Sequence, residues 1–239
     1  MFIVTIFHSA RKGTKKNVYE QEKLVFIVVG YIFFCTFAGR MEYRYDKQDL
    51  QQALKVLREG GVILYPTDTV WGIGCDATNA EAVSRVYAIK KRVDSKAMLV
   101  LLDGAGKLQG YMEKVPETAW MLLEATRQQG EEAKKPLTII YPKAKNLAVN
   151  LLAEDGSVGI RITEELFSKA LCEQLRRPIV STSANFSGEP AAKIYSEINP
   201  ELLEAVDYVC SYRRQDNTIC KPSSIIKIDE KERIMIIRE

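Results

Sequence analysis

The segment EAVSRVYAIKKRVDSKAMLVLLD, residues 81–103, contains a predicted helix and a predicted strand joined by one short turn. Its first half is predicted to be helical because four apolar residues recur at the spacing of one helix face: Ala82, Val83, Val86 and Ile89. Its second half, AMLVLLD, is a short apolar run that is typical of a strand. A helix that leads directly into such a strand indicates an α/β domain.

The same alternation continues on both sides of this segment. Asp46 is predicted to cap a helix that Gly60 and Gly61 terminate, and a Thr78–Glu81 capping box is predicted to open the helix described above. Further helices are predicted over residues 116–129, 164–177 and 192–206, and further strands over residues 61–66, 137–141, 157–162, 178–185, 207–210, 223–229 and 233–239. The pattern therefore predicts one α/β domain with helices packed on a sheet.

The charge of the chain is uneven. Of the 239 residues, 34 are Lys or Arg and 31 are Asp or Glu, which gives a net charge of +3. Residues 1–40 contain six of the basic residues and two of the acidic ones, so this segment carries +4 and residues 41–239 carry −1. A nearly neutral body lacks the basic surface typical of nucleic-acid binding, so any anion site within it must be local.

Residues 1–40 are predicted to be a leader that precedes a domain at 41–239. The leader has an apolar run of fifteen residues, Leu24–Ala38, which is shorter than the roughly 20 residues of a spanning helix. Three interpretations stay open: an over-extended start upstream of Met41, a hydrophobic anchor, and a signal peptide whose core follows several lysines. For the body itself, no membrane contact is predicted.

Histidine and cysteine exclude several kinds of catalytic site. The only histidine is His8, so residues 41–239 cannot form a Ser-His-Asp or Cys-His site and have no histidine for zinc. The five cysteines include no CxxC pair, which favours reduced thiols in a cytoplasmic protein. We therefore predict no protein-bound metal, and a chemistry that relies on Lys, Arg, Asp, Glu, Ser, Thr, Asn or backbone groups.

Three polar segments lie where predicted strands or helices end, which is where α/β domains usually bind ligands. They are YPTDTVWGIG at 65–74, the cations Lys90, Arg92 and Lys96, and STSANFSG at 181–188. Each also has an ordinary structural interpretation: a turn, cations that favour a helix C-terminus, or a solvated Ser/Asn loop. From these residues alone, both interpretations remain open.

These segments occur in this order together with PLTIIY and VGIRI, and the combination resembles the YrdC-like family of L-threonylcarbamoyladenylate synthases. The resemblance covers residues 50–228 and implies a single YrdC-like domain with a twisted mixed β-sheet. It also implies that threonylcarbamoyl-AMP and pyrophosphate are formed from L-threonine, bicarbonate and ATP with Mg²⁺, for threonylcarbamoyl modification of adenosine in tRNA. Lys and Arg can hold the anions of such a reaction by electrostatics, without histidine.

The resemblance further implies roles for individual residues. Lys90 and Arg92 match the KxR motif and are expected to bind the phosphates as catalytic residues. The expected threonine ligands are Thr67, Thr138, Arg161 and Ser183, with Arg161 binding the carboxylate through two hydrogen bonds. The expected nucleotide ligands are Lys90, Arg92, Lys96, Ser181, Asn185 and Ser224.

One departure from the family pattern keeps other interpretations open. The family commonly has a histidine at the end of the strand where this chain has Leu101. The alternatives are a paralogue with the same fold that binds another carbamoyl or nucleotide ligand, and a binding module for double-stranded RNA or tRNA. The charge of −1 on residues 41–239 predicts weak RNA binding, so we expect the adenylate to pass to a separate threonylcarbamoyl-transfer protein.

Overall fold

The structure, a computed structural model, describes residues 45–91, 98–128 and 135–239. The predicted leader at 1–40 and the predicted ligands Arg92 and Lys96 lie outside these ranges. The residues from Tyr45 to Glu239 form one unit with its own hydrophobic core. None of the helices within the described ranges is both long enough and apolar enough to span a bilayer.

Six α-helices and nine β-strands make up the described part of the chain. The helices are α1 (Lys47–Arg58), α2 (Ala80–Ile89), α3 (Leu108–Tyr111), α4 (Glu117–Gln128), α5 (Leu166–Leu175) and α6 (Pro200–Ala205). The strands are β1 (Ile63–Tyr65), β2 (Gly72–Gly74), β3 (Leu99–Leu102), β4 (Leu137–Tyr141), β5 (Val158–Ile162), β6 (Ile179–Ser183), β7 (Tyr208–Val209), β8 (Ser224–Ile228) and β9 (Ile234–Arg238).

The nine described strands form one mixed sheet in the order β7-β1-β2-β6-β3-β5-β4-β8-β9. The pairs β1/β7, β3/β5 and β4/β8 are parallel, and the other five neighbouring pairs are antiparallel. Strands that are remote in the sequence therefore become neighbours, with β6 between β2 and β3 and with β8 beside β4. The predicted α/β fold, a mixed sheet with helices packed on it, is confirmed.

The two faces of the sheet bury different apolar residues, because successive side chains along a strand point to opposite faces. On one face, α1 and α5 pack against each other and bury Leu54 and Phe167 together with Leu101 of β3. The opposite face has its own cluster, in which Val83 of α2 lies with Val100 of β3. The sheet is thus buried on both sides, and neighbouring residues of one strand belong to different cores.

Helix α1 begins and ends at the predicted residues. The carboxylate of Asp46 accepts a hydrogen bond from the N–H of Gln48 at 2.8 Å, which caps the helix. Gly60 follows the last turn with φ +79°, a left-handed conformation that glycine adopts without strain. Both predictions for this helix are confirmed.

The predicted Thr78–Glu81 capping box at the start of α2 is wrong. Asn79 is the capping residue, and its side-chain oxygen accepts from the backbone N–H groups of Glu81 and Ala82. The Thr78 hydroxyl instead donates to Oδ1 of Asp76 at 2.7 Å, which keeps it away from the helix N-terminus. The helix therefore begins one residue later than the box would place it.

The predicted helix over residues 192–206 is wrong in length. Helix α6 covers only Pro200–Ala205, and a separate 3-10 turn lies at Tyr195–Glu197. The physical reason is the proline, since the residue before a proline is driven out of the helical conformation. Asn199 accordingly has φ −57° and ψ 126°, and it caps a new helix in which Pro200 occupies the first turn.

Strand β2 is not apparent from the sequence pattern, because it contains a single apolar side chain between Gly72 and Gly74. It pairs with β1 on one side and with β6 on the other. A Cβ atom on Gly74 would lie 2.4 Å from the carbonyl oxygen of Val180 and 2.6 Å from Cε1 of Tyr65. Glycine is required here because the neighbouring backbone and ring leave no space for a side chain.

We expect Gly74→Ala to lower the free energy of unfolding by about 1–3 kcal/mol, the usual cost of overpacking a core. The Val180 carbonyl belongs to a central strand and the Tyr65 ring is fully buried, so neither can move aside freely. Urea unfolding followed by circular dichroism measures the change. Gly106→Ala is the control, because a Cβ there has nothing within 4 Å, and its effect should stay within about 0.5 kcal/mol. Equal stability of the two variants would contradict this packing.

Candidate active site

A cavity of about 910 Å³ lies on the face of the sheet that α1 and α5 cover only in part. The polar residues of its lining come from several strands of the sheet and include Thr138 of β4, Arg161 of β5, and Ser181 and Ser183 of β6. Along β5, Arg161 follows the core residue Ile160, so the same strand supplies one polar face and one apolar face. The fold thereby brings four predicted ligands to one surface.

The loop between β1 and β2 contributes Thr67 and Thr69 to the cavity lining. The Thr67 hydroxyl donates to the carbonyl oxygen of Val70 at 2.7 Å and accepts from the N–H of Thr69 at 3.1 Å. The carbonyl oxygen of Thr67 accepts a hydrogen bond from Nη1 of Arg213 at 3.1 Å. Because its hydroxyl proton is used within the loop, Thr67 can offer a ligand an oxygen lone pair or its methyl group.

Arg161 is a buried cation, with 3% of its surface exposed. Its Nη2 lies 2.9 Å from Oδ1 of Asp68 in an ion pair, and it donates to the Thr69 hydroxyl oxygen at 3.3 Å. Its Nε–H is also buried and has no hydrogen-bond partner in the described part of the chain. Arg161 lines the cavity, and a guanidinium with an unpaired donor is suited to bind an anionic oxygen.

Asp68 compensates the charge of Arg161 from outside the cavity, since it is not one of the lining residues. Burial raises the pKa of the Asp68 carboxyl, and the nearby Arg161 guanidinium offsets part of that rise. Asp68 is also part of the loop that carries Thr67 and Thr69. The ion pair therefore connects the position of the loop to the position of the guanidinium.

The far wall of the cavity is formed by β4, β8 and β9. The hydroxyl oxygens of Thr138 and Ser223 lie 2.9 Å apart in a buried hydrogen bond. Arg238 donates from Nη2 to the Ser223 hydroxyl at 3.2 Å and from Nε to the Ser223 carbonyl at 3.0 Å.

The predicted ligand Ser224 does not line the cavity, and its N–H donates to the carbonyl oxygen of Pro136. Ser223 and Arg238 are cavity residues that were absent from the predicted set, and each lies within or beside a predicted strand.

Lys90 is a further predicted ligand that lies in an unexpected position. Its side chain is buried, with 3% exposed, and does not line the cavity. Its ammonium group donates to the carbonyl oxygens of Ser183 and Asn185, at 2.6 and 2.8 Å. The predicted partner Arg92 lies outside the described residues, as does Lys96. The structure therefore places Lys90 against the loop after β6.

Two further residues singled out in the sequence lie away from the cavity surface. The side-chain nitrogen of Asn185 donates to the carbonyl oxygens of Phe186 and Glu189, at 2.9 and 2.7 Å, which folds the loop after β6 onto itself. Leu101 is fully buried in the core beneath α1 and α5. Neither residue is in the cavity lining, whereas Ser181 and Ser183 of the same polar segment are.

Comparisons with a family model, with curated proteins and with solved structures all point to the same family. The family model Sua5/YciO/YrdC, described as "Telomere recombination", matches residues 55–239. A threonylcarbamoyl-AMP synthase from Pseudoalteromonas translucida is 32% identical over 182 residues, which span 75% of this chain and 93% of that protein.

Solved structures with the same fold include YciO from E. coli, at 26% identity and a TM-score of 0.67, covering 81% of this chain and 90% of that one. Sua5 from P. abyssi, crystallised with L-threonine, has a TM-score of 0.65 at 23% identity. That match covers 76% of this chain and 51% of the longer Sua5 chain. At that identity the likeness to Sua5 concerns the fold.

We expect Asp68→Ala to lower the free energy of unfolding by about 3–5 kcal/mol, because it leaves the buried charge of Arg161 without its partner. Thermal and urea unfolding measure the loss. Glu230→Ala is the control: it removes an ion pair with Lys143 whose side chains are 61% and 52% exposed, so its effect should stay within about 1 kcal/mol.

A double variant, Asp68→Leu/Arg161→Met, separates the ion pair from general packing. It leaves no charge unpaired, so most of the stability lost in Asp68→Ala should return. A double variant as unstable as Asp68→Ala would contradict the assignment of the loss to the unpaired guanidinium.

Proposed function

The chain belongs to the Sua5/YciO/YrdC family, and we propose that it is a threonylcarbamoyl-AMP synthase. In this reaction L-threonine, bicarbonate and ATP are joined into threonylcarbamoyl-AMP and pyrophosphate, for threonylcarbamoyl modification of adenosine in tRNA. A relative of that name at 32% identity, aligned over 93% of its own length, supports the proposal at the level of the whole domain.

The observation that carries the proposal is the buried guanidinium of Arg161, which lines the cavity and has an Nε–H without a hydrogen-bond partner in the described part of the chain. A guanidinium edge presents parallel N–H donors that match the two oxygens of a carboxylate. Nearby hydroxyl groups of Thr69 and Ser181 are suited to the small polar side chain of threonine. We therefore propose that Arg161 binds the carboxylate of L-threonine and that the hydroxyl and amino groups of threonine are directed into the cavity.

The wall formed by β4, β8 and β9 is suited to the nucleotide. Arg238 and Lys227 line this side, and Lys227 is paired with Asp155 at 2.6 Å. A cavity of about 910 Å³ is at the upper end of the range for small-molecule sites, which is consistent with two substrates bound side by side. We place the phosphates of ATP on the Arg238 side and threonine on the Arg161 side.

The proposed chemistry requires positioning more than covalent participation by the protein. The threonine amine first adds to the carbon of bicarbonate, and water is lost to give the carbamate. An oxygen of this carbamate then attacks the α-phosphorus of ATP, the bond from that phosphorus to the oxygen that bridges to the β-phosphate breaks, and pyrophosphate leaves. Two anions must therefore approach each other, and fixed cations lower the electrostatic cost of that approach. We propose that Arg161 of β5 and Arg238 of β9, three places apart in the sheet order, hold the two reactants, and no histidine is needed.

Mg²⁺ is part of the proposal as the ion that accompanies ATP. The described residues contain no group of three or more His, Cys, Asp or Glu side chains that could hold a metal alone. In nucleotide sites Mg²⁺ is held mainly by phosphates and water, together with one or two carboxylates. Glu154 and Asp155, which line the cavity, are the carboxylates that would hold it, and the ion would neutralise phosphate charge.

The proposal extends to the destination of the product. Threonylcarbamoyl-AMP carries a reactive mixed anhydride, and residues 41–239 have a charge of −1, which offers little attraction for tRNA phosphates. We therefore propose transfer to a separate threonylcarbamoyl-transfer protein, with both steps in the cytoplasm. This route requires only weak RNA binding by the present chain.

Pyrophosphate release tests the proposed reaction directly. We expect release from ATP and bicarbonate with Mg²⁺ to depend on L-threonine, because the carbamate of threonine is the attacking group. A coupled pyrophosphate assay with and without L-threonine measures it. Release that is independent of threonine, or no release at all, would refute the proposed function.

Two conservative variants test the placement of the substrates. Arg161→Lys keeps the charge that Asp68 needs but loses the fork of donors, so the KM for L-threonine should rise by about 10- to 100-fold. Arg238→Lys should raise the KM for ATP instead and leave the KM for threonine nearly constant. Steady-state kinetics with each substrate varied in turn gives both values. The reverse assignment of the two effects would overturn the placement.

A further inference from the structure

We propose that Lys90 is a positioning residue that holds the loop after β6 in place, and that it does not bind the phosphates of the nucleotide. The inference rests on the proposed function, because it concerns how the threonine side of the same cavity is shaped. For this purpose the β6 loop is defined as residues 183–189. It begins with Ser183, which lines the cavity, and continues through Asn185.

The side chain of Lys90 is directed into the β6 loop. Its ammonium donates to the carbonyl oxygen of Ser183 at 2.6 Å and to that of Asn185 at 2.8 Å. These short distances are those of charge-assisted hydrogen bonds. Only 3% of Lys90 is exposed. Its ammonium therefore gives the two carbonyl oxygens the hydrogen bonds that water would otherwise donate. The ammonium is thus part of the loop's own hydrogen bonding.

The backbone of Lys90 is attached to the same loop. Its carbonyl oxygen, at the C-terminus of α2, accepts a hydrogen bond from the N–H of Ser187 at 3.0 Å. Residue 90 therefore contacts both ends of the β6 loop, through its side chain near Ser183 and through its main chain near Ser187. A helix end that is fixed by the core in this way provides a rigid reference for the loop.

The cavity lining separates the two possible roles of Lys90. Ser183 and Ser181 contribute to the cavity surface, whereas Lys90 does not. To reach a phosphate, the ammonium would have to leave two buried carbonyl oxygens, which costs free energy for each acceptor left unpaired. The geometry therefore favours an indirect role, in which Lys90 sets the position of Ser183 and Ser183 contacts the substrate.

The neighbouring lysine provides a matched control. Lys91 is exposed: its ammonium pairs with Glu201 at 3.2 Å, with both side chains about two-thirds exposed, and lies 4.1 Å from the centre of the Phe186 ring. Lys91→Met removes the same charge one position further along and keeps the aliphatic contact with the ring. Any effect that is due to net charge alone should appear equally in both variants.

Hydrogen–deuterium exchange of the ligand-free protein tests the anchor without requiring turnover. In Lys90→Met, the amides of the β6 loop should exchange at least about ten-fold faster than in the wild type, because its two carbonyls lose their donor. In Lys91→Met, exchange should stay within about three-fold of the wild type. Unchanged exchange in Lys90→Met would overturn the proposal.

Binding of inorganic pyrophosphate with Mg²⁺, measured by titration calorimetry, separates positioning from phosphate binding. A phosphate ligand that is removed should weaken this binding by about ten-fold or more, whereas a positioning residue should leave it within about three-fold. The proposal expects the smaller change in Lys90→Met. A ten-fold loss would show that the ammonium binds phosphate, and the proposal would fail.

Kinetics distinguish positioning of Ser183 from a merely structural role. Lys90→Met should raise the KM for L-threonine by about ten-fold or more while the KM for ATP stays within about three-fold, since Ser183 is placed on the threonine side. A variant that is only partly folded would lower kcat and leave both KM values unchanged, and that result would count against positioning. Threonine-independent wild-type pyrophosphate release would refute the proposed function, while the exchange result would still stand.

Lys90→Gln provides the rescue experiment and a second variant if Lys90→Met does not fold. Its amide has two N–H donors for the two carbonyls and no charge for a phosphate. We expect loop exchange, pyrophosphate binding and the KM for threonine to lie within about three-fold of the wild type. Loss of pyrophosphate binding with a protected loop would overturn the proposal.

Discussion

The buried charge of Arg161 is the constraint on which the candidate site depends. A guanidinium with 3% exposure is stable only if a nearby anion and hydrogen-bond acceptors compensate it, because burial of an unpaired charge costs several kcal/mol. Asp68 supplies the anion and Thr69 an acceptor, and both belong to the loop between β1 and β2. The requirement for charge compensation therefore fixes the loop, and with it Thr67, against Arg161 of β5. In the sheet order β5 lies three places from β2 and four from β1. One donor of Arg161, its Nε–H, has no partner in the described part of the chain, and Arg161 is a lining residue of the cavity.

The sheet makes this arrangement possible by using one face for two purposes. Under α1 and α5, residues such as Leu101 and Ile179 form part of the hydrophobic core. Ser181 lies two residues after Ile179 on β6, on the same face, and lines the cavity. Since side chains two apart share a face, the change from core to site requires only a change of residue type and no change of backbone. The opposite face stays apolar throughout β3 and β5 and holds the site in place.

The sequence could predict much of this fold but only part of the site. Periodicity sufficed for α1 and α2, and the polar end of β6 was visible because hydroxyl residues follow an apolar run. The direction of the Lys90 side chain could not be predicted, since its partners Ser183 and Asn185 are more than ninety residues away and are brought near only by the pairing of β2 with β6 and of β3 with β6. The choice between Ser223 and Ser224 depends on which of two adjacent hydroxyls faces β4's Thr138, and that follows from strand pairing rather than composition. Strand β2 could not be predicted from the sequence, because a three-residue strand with two glycines has no hydrophobic periodicity.

The position of β8 and β9 in the sheet has a consequence for protein synthesis. Ser223 and Arg238 complete the far wall of the cavity, yet β8, which carries β9 at its other edge, pairs with β4, and β4 leaves the ribosome some eighty residues earlier. Contacts between remote segments form late, because the chain between them must first be ordered. A nascent chain in which β1 to β6 have already folded would hold Thr138 with no partner for its hydroxyl and a cavity with one side missing. A chain that ends before residue 223 would therefore lack Ile226 and Ile228 of one hydrophobic core as well as Ser223 and Arg238 of the cavity.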